Sequence, residues 1–541
     1  RRIMPTLQPR TVDVSLISPP ETIHYPKRGP GSGRVSVSSL TCHFRAEMEQ
    51  QVILNRSATI ELTVSRERID QIIHAAAVEG QAEVDPKRKL SFRVIPKINF
   101  EVLGADIQED DPPQPGTPKQ YYFYVKPAHV GEGEVWVVVR QGQVPLVTLI
   151  LKPEIVKTAG GAIRRAVSTA TTPEAPKLAA PLHQLMIVEQ RNGKELTYLF
   201  ELQSPELQLL KLGTSKPIKG DRAKYVAGLY EEIENRWVSN KEDIENFTQE
   251  LREIGADMFD QLLPLDLQEA LWKYRKRIHS ILVLAEEPFI PWELVHIKQP
   301  GKGLTKEMCF LGQMGLVRWL HEAGWPKEQL RIQKGRGRYV IPNYPHPDYA
   351  LPEARQEAAF LEKKFGATAV VPKSSVVRNL LSTPGGFDLL HFAGHGAADS
   401  QNIANAQLLL EGRVEGSTYI PDTFSETTVE QNANLSKEGS PPPLVVLNAC
   451  QAGRAGYKLT GIGGFARAFL RHGAGAFVGT LWSVGDAPAR SFTEEFYTRL
   501  QKKATIAEAA IAAREAARKA GDATWLAYVV YGHPHARLKT K

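Results

Sequence analysis

The 541-residue sequence has little cysteine and no long apolar run, and each absence excludes a class of protein. Its three cysteines, Cys42, Cys309 and Cys450, are too few and too far apart for a disulfide framework. Free thiols persist in a reducing compartment, so we expect a cytoplasmic protein. No stretch approaches the roughly 20 apolar residues of a membrane-spanning helix, and the segment after Arg1 has no signal-peptide core. We therefore expect no membrane partner.

The composition is that of an ordinary globular protein with a modest positive charge. Hydrophobic residues make up 42% of the chain and charged residues 23%, and the formal net charge is +7. Short basic clusters occur at 86–89, 272–277 and 334–338, but none belongs to a nucleic-acid-binding motif. We interpret them as solvated faces and loops, so nucleic acid is not an expected partner. The length exceeds what one hydrophobic core serves, which predicts several domains.

Residues 1–156 are predicted to form a β-rich, sandwich-like module. Alternating segments such as ATIELTVS (58–65) and EVWVVVRQ (134–141) are separated by turn residues, as in antiparallel sandwiches. One helix is predicted over 65–77. No acid–base or metal-binding constellation occurs here, so we expect a recognition or regulatory module that binds a protein partner. A linker rich in Ala, Thr and Pro is predicted at 157–181.

After the linker, strand and helix patterns alternate, which predicts an α/β domain with a mostly parallel central sheet. SILVLAEE (280–287) is typical of a buried strand, and PEARQEAAFLEKKFG (352–366) predicts a helix that a glycine ends. We divide this domain into an N-terminal half, 182–345, and a catalytic half, 346–541.

Two short segments of the catalytic half carry the chemistry, HFAGHG (391–396) and VVLNACQAG (445–453). Each follows an apolar run, so His395 and Cys450 are predicted at the ends of buried strands, where α/β sheets form their sites. An imidazole within reach activates a thiol and later protonates the leaving amine. The N–H groups of Gly396 and Cys450 are candidates to hold the tetrahedral oxyanion. The pair predicts nucleophilic catalysis by a cysteine.

The sequence also resembles the CHAT peptidases, caspase-like proteins of the clan that includes separase. The segments that carry the resemblance are HFAGHG, LNACQAG, AGAFVGTLWSVGD, IPWELV (290–295) and FLGQMGLVRWL (310–320). The resemblance covers residues 185–541 and implies a caspase-type fold and a cysteine endopeptidase, with His395 as general base and Cys450 as nucleophile. We expect no cofactor and no metal. Relatives often serve bacterial defence or cell-death systems, which suggests such a role here.

Asp486 and Trp482 are candidate substrate-binding residues. Both follow a buried strand near the active edge, in TLWSVGDAPAR. Relatives with a similar motif tend to cut after basic residues, and a carboxylate would pair with an Arg or Lys side chain. Alternatively, Asp486 is the N-cap of the helix that enters at Ala487-Pro488, and Trp482 is a core aromatic.

Three further interpretations concern the catalytic half. His533 and His535 have no partners at metal-ligand spacing, which predicts a surface turn. The polar segment 411–442 is predicted to be an exposed loop that acts as a lid, a processing site or a switch, or is a passive insertion.

Because unregulated proteolysis would be harmful, we expect a latent enzyme that cleaves a protein substrate once triggered. The alternative function is a catalytically silent caspase-fold scaffold that binds protein partners.

Overall fold

The structure is a computed structural model. It describes the following residues: 39–69, 76–158, 169–171, 182–239, 243–287, 289–304, 309–345, 347–397, 406–415, 418–449, 456–458, 461–521 and 523–539. Its N-terminal part is built of strands. The strands described between residues 40 and 156 are β1 (Leu40–Met48), β2 (Gln51–Ile53), β3 (Ala58–Ser65), β4 (Ala76–Val84), β5 (Leu90–Ile98), β6 (Phe100–Leu103), β7 (Ile107–Asp110), β8 (Lys119–Pro127), β9 (Gly131–Glu132), β10 (Glu134–Gln141), β11 (Val144–Leu151) and β12 (Glu154–Val156).

Two antiparallel sheets of this part pack face to face. One has the order β4–β1–β3–β8–β6, and the other contains β11, β10, β5 and β7. Their facing sides are apolar, because every second residue of strands such as β3 is buried. Gly80 of β4 lies so close to β11 that an added Cβ would be 2.6 Å from Val147 Cγ1. This packing makes the N-terminal part sandwich-like.

The predicted helix over 65–77 is wrong at both ends. Ser65 ends β3, and Ala76 begins β4, which pairs with β1 over nine residues. Residues 70–75 lie outside the described residues. Pairing with β1 outweighs the local helix preference of the alanines, since sheet context decides the state of short segments.

The strands of the C-terminal part begin within the predicted linker. They are β13 (Thr169–Thr171), β14 (Gln184–Asn192), β15 (Glu195–Ser204), β16 (Leu209–Thr214), β17 (Ile281–Ala285), β18 (His296–Ile297), β19 (Cys309–Phe310), β20 (Leu316–Leu320), β21 (Gln329–Leu330), β22 (Gly337–Val340), β23 (Thr368–Ala369), β24 (Leu389–Ala393), β25 (Gly396–Ala397), β26 (Gln407–Leu409), β27 (Arg413–Glu415), β28 (Thr418–Ile420), β29 (Thr423–Ser425), β30 (Leu444–Asn448), β31 (Gly456–Lys458), β32 (Gly461–Gly463), β33 (Ala476–Thr480), β34 (Tyr528–Tyr531) and β35 (Arg537–Leu538).

Helices cover the sheet and connect these strands. The described α-helices are α1 (Arg222–Ser239), α2 (Ile244–Leu262), α3 (Leu265–Tyr274), α4 (Pro352–Phe365), α5 (Ser374–Leu381), α6 (Glu426–Asn432), α7 (Phe465–Arg471), α8 (Asp486–Gln501) and α9 (Ile506–Lys519). Short 3-10 helices occur at Trp292–Leu294, Leu311–Met314, His321–Ala323, Pro347–Tyr349 and Ala523–Ala527. In the described part of the chain, every helix is too short or too polar to cross a bilayer.

The central sheet is mostly parallel, as the alternating pattern predicts. Its order is β14–β17–β20–β34–β33–β30–β24–β22–β23, and only the β33–β34 pair is antiparallel along it. The strands β24, β30 and β33 are therefore parallel neighbours, and their carboxyl ends lie at one edge. Such an edge is where open α/β sheets form their sites.

The sheet continues into the N-terminal module. Ile98 of β5 pairs in parallel with Arg191 of β14, and the short strand β13 pairs with β11. Near these strand pairs, Arg93 and Arg140 of the module both bind the buried carboxylate of Glu201 in β15. Burial raises the pKa of Glu201, and the two guanidinium groups more than offset it, so the net shift is downward. Buried charges must be paired, so this cluster fixes one docking geometry.

Helix α4 covers the catalytic half. Its sequence begins with proline at the first position and ends at Gly366, whose φ of 59° is the left-handed conformation that glycine adopts readily. The predicted glycine-terminated helix is confirmed. Its buried face contains Ala354, Glu357 and Leu361 at helical spacing. A carboxyl group in the middle of an apolar stripe needs partners.

Candidate active site

The two motif strands lie side by side. In β24 and β30, Ala393 is paired with Asn448, and both strands end at this level. His395 is two residues beyond Ala393. Cys450, two residues beyond Asn448, lies outside the described residues, as do 451–455. The register therefore brings the two motifs to one edge of the sheet, as predicted from the sequence.

His395 is half-buried and held on two sides. Its Nε2 atom is 3.0 Å from the carbonyl oxygen of Tyr349, and its main-chain N–H donates to the hydroxyl of Tyr344 at 2.8 Å. The Tyr344 hydroxyl donates in turn to the carbonyl of Leu409 at 2.8 Å. Both tyrosine rings also contact the imidazole. The ring orientation is thus set by the loop that precedes α4.

This geometry determines which imidazole nitrogen can act as a base. A carbonyl oxygen only accepts, so Nε2 of His395 carries the hydrogen and Nδ1 has the free lone pair. Among the described residues, none hydrogen-bonds with Nδ1. Burial lowers the pKa of His395, and the Tyr349 carbonyl opposes that shift in part. A neutral imidazole with an open Nδ1 can accept a proton at neutral pH.

Two glycines of the motif have different structural roles. An added Cβ on Gly394 would lie 2.7 Å from the Tyr344 hydroxyl oxygen, so a side chain there would displace the tyrosine. Gly396 is paired with Leu408, and the adjacent ladder bond runs from Leu409 N–H to the His395 carbonyl. In that pattern the Gly396 pair exchanges no hydrogen bonds, so its N–H points away from β26. The Gly396 N–H therefore makes no ladder bond with β26, and its role at an oxyanion stays a prediction.

The segment after β33 borders the same edge. Thr480 donates to the carbonyl of Ala449 at 2.6 Å and so anchors the last described residue before Cys450. Trp482 is fully buried, and its ring centroid is 6.1 Å from that of Tyr230. Its packing is that of a core aromatic. A role as a pocket wall stays a prediction.

Asp486 lies at the start of α8, but it is not the N-cap, which is Gly485. Its carboxylate instead accepts a hydrogen bond of 3.1 Å from the main-chain N–H of Glu353, in the first turn of α4. Burial is the main cause that raises the pKa of Asp486 to about 6; the hydrogen bond from Glu353 N–H opposes that shift, and the charges of Glu357 and Glu353 add to it. The alternative that Asp486 is the N-cap of its own helix is therefore wrong, because the carboxylate binds the first turn of α4 instead. A role in substrate binding stays a prediction.

The prediction that 411–442 is a loop is wrong for much of its described residues, 411–415 and 418–442, which contain strands and a helix. The segment contains the β27–β28 hairpin, β29 and α6, which buries Glu426 and Val429. The ring of Tyr419 in this hairpin lies 5.2 Å from that of Tyr349, which holds His395. The segment thus contacts the histidine's support.

The prediction of a surface turn at His533 is wrong. His533 is fully buried, near the ring of Trp325, and burial lowers its pKa to about 3. The main chain turns there, but the histidine side chain points inward. In the part of the chain that the structure describes, no group of three metal-ligating side chains occurs.

Comparison with known families identifies the catalytic half. Residues 332–533 match the CHAT domain family, and residues 46–151 match a domain of unknown function, DUF7363. The resemblance that the motifs indicated is confirmed for this region, whereas IPWELV and its neighbours lie upstream of the match. No curated protein sequence matches the chain.

Several solved structures are similar to this chain at low sequence identity. The Arg-specific cysteine proteinase gingipain R (RgpB) has 14% identity and a TM-score of 0.34, covering 56% of this chain and 76% of that one. The complex of the pro- and mature domains of Porphyromonas gingivalis RgpB has 14% identity and a TM-score of 0.35, covering 56% and 78%. The separase–securin complex of Saccharomyces cerevisiae has 11% identity and a TM-score of 0.40, covering 65% of this chain and 30% of that one.

Proposed function

We propose that the protein is a cysteine endopeptidase in which Cys450 is the nucleophile and His395 the general base. The observation that carries the proposal is the orientation of His395. His395 follows the strand that neighbours the one leading into Cys450. Its Nε2 is bound by the Tyr349 carbonyl, and no residue that the structure describes hydrogen-bonds with its Nδ1. This is the tautomer that a histidine needs to take a proton from a thiol.

The reaction would follow from these groups. His395 Nδ1 accepts the thiol proton of Cys450, and the thiolate adds to the peptide carbonyl carbon. The Gly396 and Cys450 N–H groups stabilise the oxyanion that forms. The intermediate collapses as the protonated imidazole gives its proton to the leaving amine. Water, deprotonated by the same imidazole, then hydrolyses the thioester and restores the free thiol.

Cleavage after a basic residue is part of the proposal. Asp486 supplies a half-buried carboxylate beside Glu353, near the carboxyl end of β33. An Arg or Lys side chain would favour the ionised carboxylate and relieve the repulsion among these acids. Trp482, whose ring packs near Tyr230, would form a wall of the same pocket.

We further propose that the N-terminal module binds a regulatory protein partner and that the enzyme is latent until then. Support comes from the shared sheet and the buried Glu201 cluster, which join the module firmly to the CHAT domain. A reactive thiol fits a cytoplasmic location, and a role in bacterial defence fits a latent protease. The alternative, a silent scaffold, requires that the oriented histidine has no partner thiol.

The test is a peptide library with every residue before the cut, incubated with the full chain with and without cell lysate. Cleavage that Cys450→Ala abolishes, together with labelling of Cys450 by a peptidyl electrophile, is the expected result. A Cys450→Ala variant with normal turnover, or a Cys450 that stays unlabelled in every condition, would contradict the proposal.

A further inference from the structure

A buried polar cluster lies directly behind the candidate active site. It brings together one side chain from each of three elements, namely Glu357 of α4, His391 of β24 and Asn448 of β30. Their exposed fractions are 1%, 0% and 7%. His391 and Asn448 belong to the two motifs, but the proposed reaction uses neither.

Both polar atoms of the Asn448 side-chain amide form hydrogen bonds. Its Nδ2 donates to Glu357 Oε1 at 2.8 Å and to Thr493 Oγ1 at 3.1 Å. Its Oδ1 accepts from the Tyr528 hydroxyl at 3.0 Å. Both amide hydrogens are used, so the side chain has one orientation only. The residue two positions before Cys450 is thereby fixed.

His391 is attached to the same carboxyl group. Its Nε2 lies 2.8 Å from Glu357 Oε2, and its Nδ1 lies 3.1 Å from the Tyr497 hydroxyl. Complete burial raises the pKa of Tyr497 well above its usual range, so the tyrosine keeps its proton and donates to Nδ1. Nε2 then carries the other hydrogen and lies beside Glu357 Oε2, although the two atoms are not aligned as a hydrogen bond. One carboxyl group thus bridges both motif strands.

Burying the carboxyl group of Glu357 costs free energy, which indicates that the group has a specific structural role. Glu357 interrupts the apolar stripe of α4, where a leucine would pack without needing hydrogen bonds. Buried polar networks of this kind contribute little net stability, but a group whose hydrogen bonds are all made, as in the Asn448 amide, is held in one geometry. The geometry specified here is the relative position of the two strand ends.

We propose that Glu357, His391 and Asn448 are positioning residues that hold the ends of β24 and β30 so that His395 and Cys450 meet. The proposal rests on the proposed function. According to this proposal, His391 of HFAGHG and Asn448 of LNACQAG both position the ends of the two motif strands. None of the three residues touches the substrate.

The test measures how fast iodoacetamide alkylates Cys450 across pH, in the full chain, with mass spectrometry distinguishing Cys450 from Cys42 and Cys309. In the wild type, pairing with His395 should hold the thiol's apparent pKa below its ordinary value of about 8.5. Asn448→Ala and Glu357→Ala should raise that pKa and slow alkylation near pH 6.5 by about tenfold. Glu357→Gln keeps an oxygen for Asn448 and should restore most of the rate.

Two further variants distinguish an effect on the position of the strand ends from a general loss of stability. Glu293→Gln breaks a fully buried ion pair with Arg318 in the other half of the sheet, so it should lower stability and leave the profile unchanged. Tyr528→Phe removes one hydroxyl but keeps the ring stacked on Phe492, and should shift the profile partway.

Two outcomes would overturn the proposal, and they are distinguishable. If the wild-type thiol has a depressed pKa but folded Asn448→Ala, Glu357→Ala and Tyr528→Phe proteins match it, the positioning role is wrong and the proposed function stands. If the wild-type thiol titrates near its ordinary value and His395→Ala changes nothing, the proposed function itself fails.

Discussion

The buried cluster at the module junction and the one behind the active site use polar groups differently. At the junction, two guanidinium groups from one module bind a single carboxylate of the other, Glu201. Behind the site, the carboxyl group of Glu357 contacts an amide and an imidazole on two adjacent strands. The first cluster joins two parts of the chain, and the second joins two strand ends. Stability and activity should therefore respond separately to changes in the two clusters.

The largest effect should come from removing the reacting groups while leaving both clusters intact. Cys450→Ala and His395→Ala should each lower peptide turnover by about a thousandfold or more, because the residues act as a unit. Thermal unfolding should change little. Cys309→Ala, which removes a half-buried thiol elsewhere, serves as the control and should keep full activity. Comparable turnover in all three variants would contradict the assignment.

Breaking the junction cluster should affect stability instead. Glu201→Ala leaves buried Arg140 without a carboxylate and leaves Arg93 with Asp106 alone, so it should lower the free energy of unfolding by about 3–5 kcal/mol in urea titrations. The pH profile of Cys450 alkylation should stay that of the wild type. Glu195→Ala, on the exposed side of the same strand, should change stability by less than about 0.5 kcal/mol. A shift in the alkylation profile of Glu201→Ala would show that the two clusters are coupled.

The junction should also respond to acid. Because the net pKa of Glu201 in the folded protein is lowered, its stabilisation is complete above the unfolded value of about 4.3 and is lost as pH falls through the folded pKa. The stability difference between wild type and Glu201→Ala should therefore shrink below about pH 4. A difference that stays constant down to about pH 2 would contradict the pairing.

Asp486 should have an intermediate effect on the catalytic side alone. Asp486→Asn removes the proposed partner of a basic substrate residue and should lower kcat/KM for peptides with Arg before the cut by about tenfold to a hundredfold. Peptides with Leu there should be affected less. Equal losses for both peptides would reduce Asp486 to a cap of α4.

The same variant gives a stability test with the opposite sign to that of Glu201. The pKa of Asp486 is raised to about 6, so its ionised form destabilises the fold, and the penalty grows as pH rises above the unfolded value of about 3.9. Asp486→Asn should therefore be more stable than wild type near pH 8 and no more stable near pH 4, by thermal unfolding. A uniform loss at both pH values would contradict the raised pKa.

Hydrophobic periodicity and motifs predicted the fold well where the local preference of a segment matches its place in the sheet. The parallel core, the helix that ends at Gly366 and the convergence of the two motif strands follow from apolar runs and turn residues. The helix over 65–77 fails because pairing with β1 decides that segment. His533 fails because a turn in the main chain does not determine whether a side chain is exposed.

The supports of the site were harder to predict. Tyr344 and Tyr349 lie in a loop without a motif, and they reach His395 only through tertiary packing. Glu357 looks like an ordinary charged residue of an amphipathic helix. Its spacing from Ala354 and Leu361, which places it on the buried face, was the available signal. The reacting residues can be predicted from motifs, whereas the residues that support them depend on tertiary contacts that motifs do not show.

The smallest effect should come from one hydroxyl beside the histidine. Tyr344→Phe removes the oxygen that accepts from His395 N–H and donates to Leu409, while the ring contact remains. We expect kcat to fall by a few-fold, about 1 kcal/mol for one neutral hydrogen bond, with KM unchanged. Tyr122→Phe, on the exposed face of the N-terminal module, is the matched control. No change in kcat would show that the ring alone supports His395.

The central claim is that sulfur and imidazole meet at the shared edge of β24 and β30. A crystal structure of the full chain with a peptidyl electrophile bound covalently to Cys450 tests it most directly. We predict His395 Nδ1 within about 4 Å of Cys450 Sγ, with Nε2 still bound to the Tyr349 carbonyl. An imidazole whose Nδ1 faces away from the adduct, with another base beside the sulfur, would contradict the account.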